Sequence, residues 1–172
     1  ETLRQMNETG VLGRFILDFG KIVALMQFNM YHHYTADEHL LRAIGELNKL
    51  FSGKNKNITK LISEIINSGL SKKILTIALL FHDIAKGRDE DHSIAGAKIV
   101  KKFSKRFNLS DYELETISWL VKEHLVMSFF SQTRDIMDAK TVEDFSLKVQ
   151  TPERLKFLFI LTIADITAVG PG

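Results

Sequence analysis

The chain has 172 residues, 45% hydrophobic and 26% charged, with a net charge of +2 and no cysteine. That composition suits one globular domain, argues against disorder, and gives nucleic acid no special claim as a partner. Without thiols there is neither a disulfide framework nor a thiolate metal site, so any metal must be held by nitrogen and oxygen. The lack of cysteine also fits a reducing cytoplasm.

No apolar run approaches the ~18 residues of a membrane span, and the N-terminus lacks a charged-then-apolar leader, so a soluble chain is expected. The abrupt start without Met and the closing Ala-Val-Gly-Pro-Gly suggest a domain excised from a larger protein. The first thirty residues suggest one helix, a turn bounded by Gly10 and Gly13, and an ambiguous segment from Phe19 to Met30. Thr35-Ala-Asp-Glu38 has capping-box form and predicts a helix to about Phe51. A polar, basic loop covers Ser52 to Asn57. Helices from about Ile58 to Asn67 and from about Ser71 to Lys86 follow, with stops at Gly69 and Gly87. Asp89-Glu-Asp-His-Ser turns into a helix from about His92 to Phe107. Ser110-Asp-Tyr-Glu113 is a second capping box, opening a helix to about His124. Leu125 to Lys140 holds no clean period and reads as a long loop. Thr141 caps a short helix to about Val149. Thr151-Pro152 opens the last helix, to about Ala168. With no convincing strand pair, the fold class is all-α.

The most apolar stretch, Ile74 to Phe81, ends in His82-Asp83. A charged pair at the end of a helix buried on every side needs compensation, and a metal ion is the usual one. Helical periodicity turns other candidate ligands the same way. His39 shares a face with Ala43, Leu47 and Leu50. His124 follows Ile117, Leu120 and Val121, and Asp165 follows Leu158, Leu161 and Thr162. We therefore expect His39, His82, Asp83 and Asp165 to hold a divalent ion, with His92 and His124 available for a second ion beyond Asp83. Such a site activates water and neutralises phosphoryl charge. Lys86, three residues after Asp83, would set an ammonium beside the transition-state phosphoryl group.

The order His39 … His82-Asp83 … Asp165 and the string Phe-His-Asp-Ile-Ala-Lys resemble the HD superfamily of metal-dependent phosphohydrolases. A closer resemblance covers nearly the whole chain. Met26-Gln-Phe-Asn-Met-Tyr-His32-His-Tyr-Thr-Ala-Asp-Glu-His39 and Leu80-Phe-His-Asp-Ile-Ala-Lys-Gly-Arg88 are similar to the central domain of the bifunctional [protein-PII] uridylyltransferase/uridylyl-removing family. So are Asp91-His92-Ser93, His124-Leu-Val-Met-Ser128, Gln132-Thr-Arg-Asp135 and Leu161-Thr-Ile-Ala-Asp-Ile166. Asn29, His33 and Asp89-Glu90 depart from that family's pattern.

The resemblance implies an HD helical bundle, with residues 1–34 as its lead-in and 35–172 as the hydrolase core. It implies removal of UMP from a uridylylated tyrosine of the PII nitrogen-signalling protein, with Mn or Mg as cofactor and Fe or Zn as alternatives, in one or two ions. In such proteins a nucleotidyltransferase domain precedes this unit and glutamine-sensing ACT domains follow it. His32 aligns with a motif histidine and would protonate the leaving phenolate. Arg134 would grip the uridylyl phosphate or PII, and Asp83 and His124 would join Lys86 in catalysis. Two other readings are an HD-type nucleotidase or nucleoside-triphosphate phosphohydrolase, and a helical regulatory module without turnover.

Overall fold

The computed structural model describes residues 1–26, 34–53 and 59–170. Within them lie eleven helices: α1 Thr2–Glu8, α2 Val11–Phe15, α3 Leu17–Gly20, α4 Ala36–Phe51, α5 Lys60–Asn67, α6 Lys72–Phe81, α7 His92–Phe103, α8 Asp111–Glu123, α9 Val126–Thr133, α10 Ala139–Val149 and α11 Pro152–Thr167. No strand occurs among the described residues beyond an isolated pairing of Met26 with Thr35, so the chain is all-α. No described helix is long and apolar enough to cross a membrane.

α6 is the centre of the bundle. Ser71 caps it, its hydroxyl accepting from the Ile74 amide, and every residue of Leu-Leu-Phe at its end is buried. Each such side chain contributes about 1.5–3 kcal/mol on leaving water. α4 and α8 both pack against α6, and α11 packs against α4, α6 and α8. α7 returns antiparallel to α8, and its Gly96 makes that approach close. A Cβ there would come within 2.9 Å of Val121 Cγ1 and 3.0 Å of the Phe81 carbonyl oxygen. Gly96→Ala is accordingly expected to lower stability by about 1–3 kcal/mol through overpacking, read as a lower midpoint in chemical denaturation.

Several boundaries differ from the sequence expectation. α6 ends at Phe81 rather than Lys86, because residues 82–87 tighten into turns, with Ile84 N–H bonding the Phe81 carbonyl and Lys86 N–H the Asp83 carbonyl. α7 stops at Phe103 instead of Phe107. The expected long loop from Leu125 contains α9, in which Val126, Met127 and Phe130 recur at helical spacing and Phe130 meets Phe145 of α10 edge-on. Asp138, not Thr141, caps α10. The Thr35 box does not close, since Glu38 turns to Arg4 and Arg42 instead. The Ser110 box does close, with both reciprocal bonds made. The N-terminal expectation of one helix and a turn resolves into three short helices. Parts of the ambiguous segment and of the basic loop, with the helix start at Ile58, lie outside the described residues.

Candidate metal centre

The expected ligands arrive from five parts of the bundle. His39 stands in the first turn of α4 and is wholly buried. His82 follows the last residue of α6, and Asp83 follows it, both buried. His92 opens α7, its start fixed by Asp91, whose carboxylate accepts from the amides of Ser93 (2.9 Å) and Ile94 (3.1 Å). His124 ends α8, and Asp165 lies near the end of α11.

They meet in two groups that share Asp83. His39, His82 and Asp83 can offer ligand atoms all within 4.8 Å of one another, and so can Asp83, His92 and His124. Asp83 Oδ2 lies 3.7 Å from His39 Nε2 and 3.4 Å from His82 Nε2. Its Oδ1 faces the other way, 3.4 Å from His92 Nε2 and 3.7 Å from His124 Nε2. Asp165 Oδ1 joins the first group, 2.8 Å from His39 Nε2 and 3.3 Å from His82 Nε2.

Backbone carbonyls set the imidazoles. His82 Nδ1 donates to the Leu79 carbonyl and His124 Nδ1 to the Val121 carbonyl, each at 2.8 Å. A carbonyl can only accept, so both rings carry a proton on Nδ1 and present Nε2 to the cluster. The Nε2 atoms of His82, His92 and His124 are buried and make no hydrogen bond among the described residues. Buried polar atoms without partners are uncommon, and here three point at shared carboxylates. Imidazole nitrogen with carboxylate oxygen is a donor set for Mn, Fe or Zn, and for Mg where oxygen dominates. The residues present fit a divalent ion in either group.

Titration behaviour shows the same demand for positive charge. Burial opposes a charge on His82, but the carboxylates of Asp83 and Asp165 outweigh it and push its pKa up to about 10. His124 goes the opposite way, to about 4, because burial and the neighbouring charge of His82 outweigh the carboxylates. Burial also lowers His92. Asp83 and Asp165 are held well below the usual carboxylate range despite burial, chiefly by the His82 charge. The His82 imidazolium thus balances the charge of the two carboxylates.

The remaining expected residues divide. Lys86 Nζ sits 2.6 Å from Asp83 Oδ2, so its ammonium is inside the cluster. Arg134 lies exposed at the end of α9, its guanidinium 6.0 Å above the Phe130 ring, with no bond to the cluster among the described residues. His32 lies outside the described residues, as do Asn29 and His33. Glu90, one of the departing acidic pair, reaches Lys98 at 3.3 Å. Sequence reasoning missed the Leu79 and Val121 carbonyls. Backbone acceptors leave no mark in the lettering; only the three-residue spacing from an apolar helix end to a histidine hints at them.

A model of the family described as HD domain matches residues 38–169. That span takes in His39, His82, Asp83, His92, His124 and Asp165, the residues that the bundle draws together. The chain belongs to the HD domain family, whose members are metal-dependent phosphohydrolases.

Proposed function

We propose that this domain hydrolyses a phosphodiester, with UMP on a uridylylated tyrosine of PII as its substrate. The observation that carries the hydrolytic reading is the pair of ligand groups joined through Asp83. The choice of substrate rests on the resemblance, from Met26 to Ile166, to the uridylyl-removing family.

His39, His82, Asp83 and Asp165 would hold one divalent ion, and Asp83, His92 and His124 a second. An ion bound there supplies a Lewis acid for the phosphoryl oxygens and brings water deprotonation within reach of neutral pH. The chain's own groups do the positioning. The Leu79 and Val121 carbonyls keep His82 and His124 in one tautomer, and Lys86 fixes Asp83 Oδ2 while keeping an ammonium next to the incoming phosphate charge. In the balanced reaction, water adds at phosphorus, the bond to the tyrosine oxygen breaks, and UMP and free tyrosine leave. Phenol has a pKa of about 10, so the leaving group departs with modest help from an acid. His32 would supply that proton, and Arg134 would hold substrate phosphate or PII. The nucleotidyltransferase and ACT domains of such a protein would be its covalent neighbours, in the cytoplasm.

The test is to incubate the chain with Mn and either uridylylated PII or free nucleotides, and to follow UMP release. Release of UMP from PII, abolished by chelator, is the expected result. Cleavage of free nucleotides alone would replace this substrate with a nucleotidase's. Absence of any hydrolysis together with absence of metal binding would leave a non-catalytic helical module.

A further inference from the structure

The turn that carries His82, Asp83 and Lys86 has few backbone bonds of its own. Between α6 and α7 its described backbone bonds are the two short-range ones of Ile84 and Lys86. Besides the ligand cluster and the core beneath it, two further supports come from residues that precede the family match, which begins at residue 38. Arg88 Nη2 donates to Asp18 Oδ1 of α3 at 2.6 Å. Gly87, at φ +79°, has Leu25 packed against its bare Cα, and a Cβ there would stand 3.0 Å from Leu25 Cδ2.

Those supports are themselves braced. Gly13 and Gly20 bring α2 and α3 into close approach, where a Cβ on Gly13 would come within 3.0 Å of the Gly20 Cα. Arg106 donates to the Phe15 carbonyl at 2.9 Å, and the Phe15 and Phe107 rings meet edge-on. Ala24 takes a left-handed φ of +58°, which its methyl disfavours, and its amide donates to Asp37 Oδ1 at 3.1 Å. The other oxygen of Asp37 accepts from Asn7 Nδ2 at 2.8 Å. Leu25 then receives the Ala36 amide on its carbonyl at 2.9 Å. Residues 16–25 thus run between Ala36 and Asp37 at the start of α4, three and two residues before His39, and the turn that bears His82 and Asp83.

We infer that Asp18 and Leu25 are positioning residues: the segment before the HD core clamps the ligand-bearing turn through the Asp18–Arg88 pair and the Leu25–Gly87 contact, and so sets metal affinity. The inference builds on the metal-binding reading. Residues 16–25 are then part of the working site, and Arg88 serves it through Asp18.

The test compares the full chain with Asp18→Ala, Arg88→Ala and the exchanged pair Asp18→Arg/Arg88→Asp. Amide hydrogen exchange is followed on metal-free protein, and Mn binding by titration calorimetry. The single variants are expected to raise the Mn Kd by about tenfold, the low end for groups that orient ligands. Amides 84–88 should exchange faster while those of α8 and α11 keep their protection, and the exchanged pair should recover both properties. Unchanged exchange at 84–88 in both single variants would overturn the inference, as would faster exchange across α8 and α11 with no recovery in the exchanged pair. If the unaltered chain binds no Mn, the metal reading fails, and the exchange measurement on metal-free protein still decides whether the clamp exists.

Discussion

Asp83→Asn is expected to abolish binding at both ligand groups in a single step. Its two oxygens face different sets of imidazoles, Oδ2 towards His39 and His82, Oδ1 towards His92 and His124. An amide keeps the shape, but it removes the negative charge both ions need and turns one acceptor into a donor. His92→Ala should spare the group formed by His39, His82 and Asp165. After loading with excess Mn and desalting, elemental analysis should therefore find no ion in Asp83→Asn, and the first-group ion retained in His92→Ala. Hydrolysis in Asp83→Asn should fall by roughly a thousandfold, the several kcal/mol that a metal supplies to the transition state. Wild-type Mn content in Asp83→Asn would refute the shared carboxylate. The same change should lower the His82 pKa, since one of the two carboxylates that raise it is gone. Titration of the His82 ring by NMR, with EDTA present, reads that directly.

The second large effect is a proton given up on metal binding. In the metal-free chain His82 stays protonated up to about pH 10, while His124, near 4, is already neutral at pH 7. A ligand imidazole must be neutral, so filling the first group near pH 7 displaces the His82 proton, whereas His124 in the second group has none to lose. Affinity for Mn should rise about tenfold for each pH unit between 6.5 and 8.5. Calorimetry in two buffers of different ionisation enthalpy counts the proton released.

Stability without metal runs the opposite way. The folded His82 value lies above the unfolded 6.5, so its contribution is complete below pH 6.5 and is lost as pH climbs towards 10. Asp83 and Asp165 have depressed values, so theirs is present above about pH 4 and disappears in acid. The gap in Tm between Mn-loaded and EDTA-treated protein should therefore widen with pH. One proton corresponds to about 1.4 kcal/mol per pH unit, roughly 3–6 °C for a domain of this size. A gap that stays constant or narrows would mean that His82 is not displaced.

Three helix starts were legible in the lettering, for Ser71, Ser110 and Thr151 all accept the amide three residues on, whereas α10 takes Asp138 as its cap in place of Thr141. The inward faces were legible for the same reason, because Ala43, Leu47 and Leu50 repeat with His39, and Ile117, Leu120 and Val121 lead to His124. Helix ends were harder to read. Gly87 resembles a stop, yet α6 gives way five residues earlier, where the His82 ring takes the Leu79 carbonyl and the chain tightens into turns. α9 escaped because it is short and none of its residues is fully buried: Phe130 meets Phe145 of α10, while Val126 and Met127 lie at the edge of the main core. The Asp18–Arg88 pair joins positions far apart in the chain, and no local pattern announces such a meeting.

His82 and His124 each bond a carbonyl three residues earlier in their own helix. Those oxygens belong to the final turn, where helical partners run out. Each ring thus terminates a rod with one nitrogen and serves chemistry with the other. Mutating either histidine would fray α6 or α8 as well as silence turnover. Descendants that abandoned hydrolysis would therefore still have a folding reason to keep both histidines.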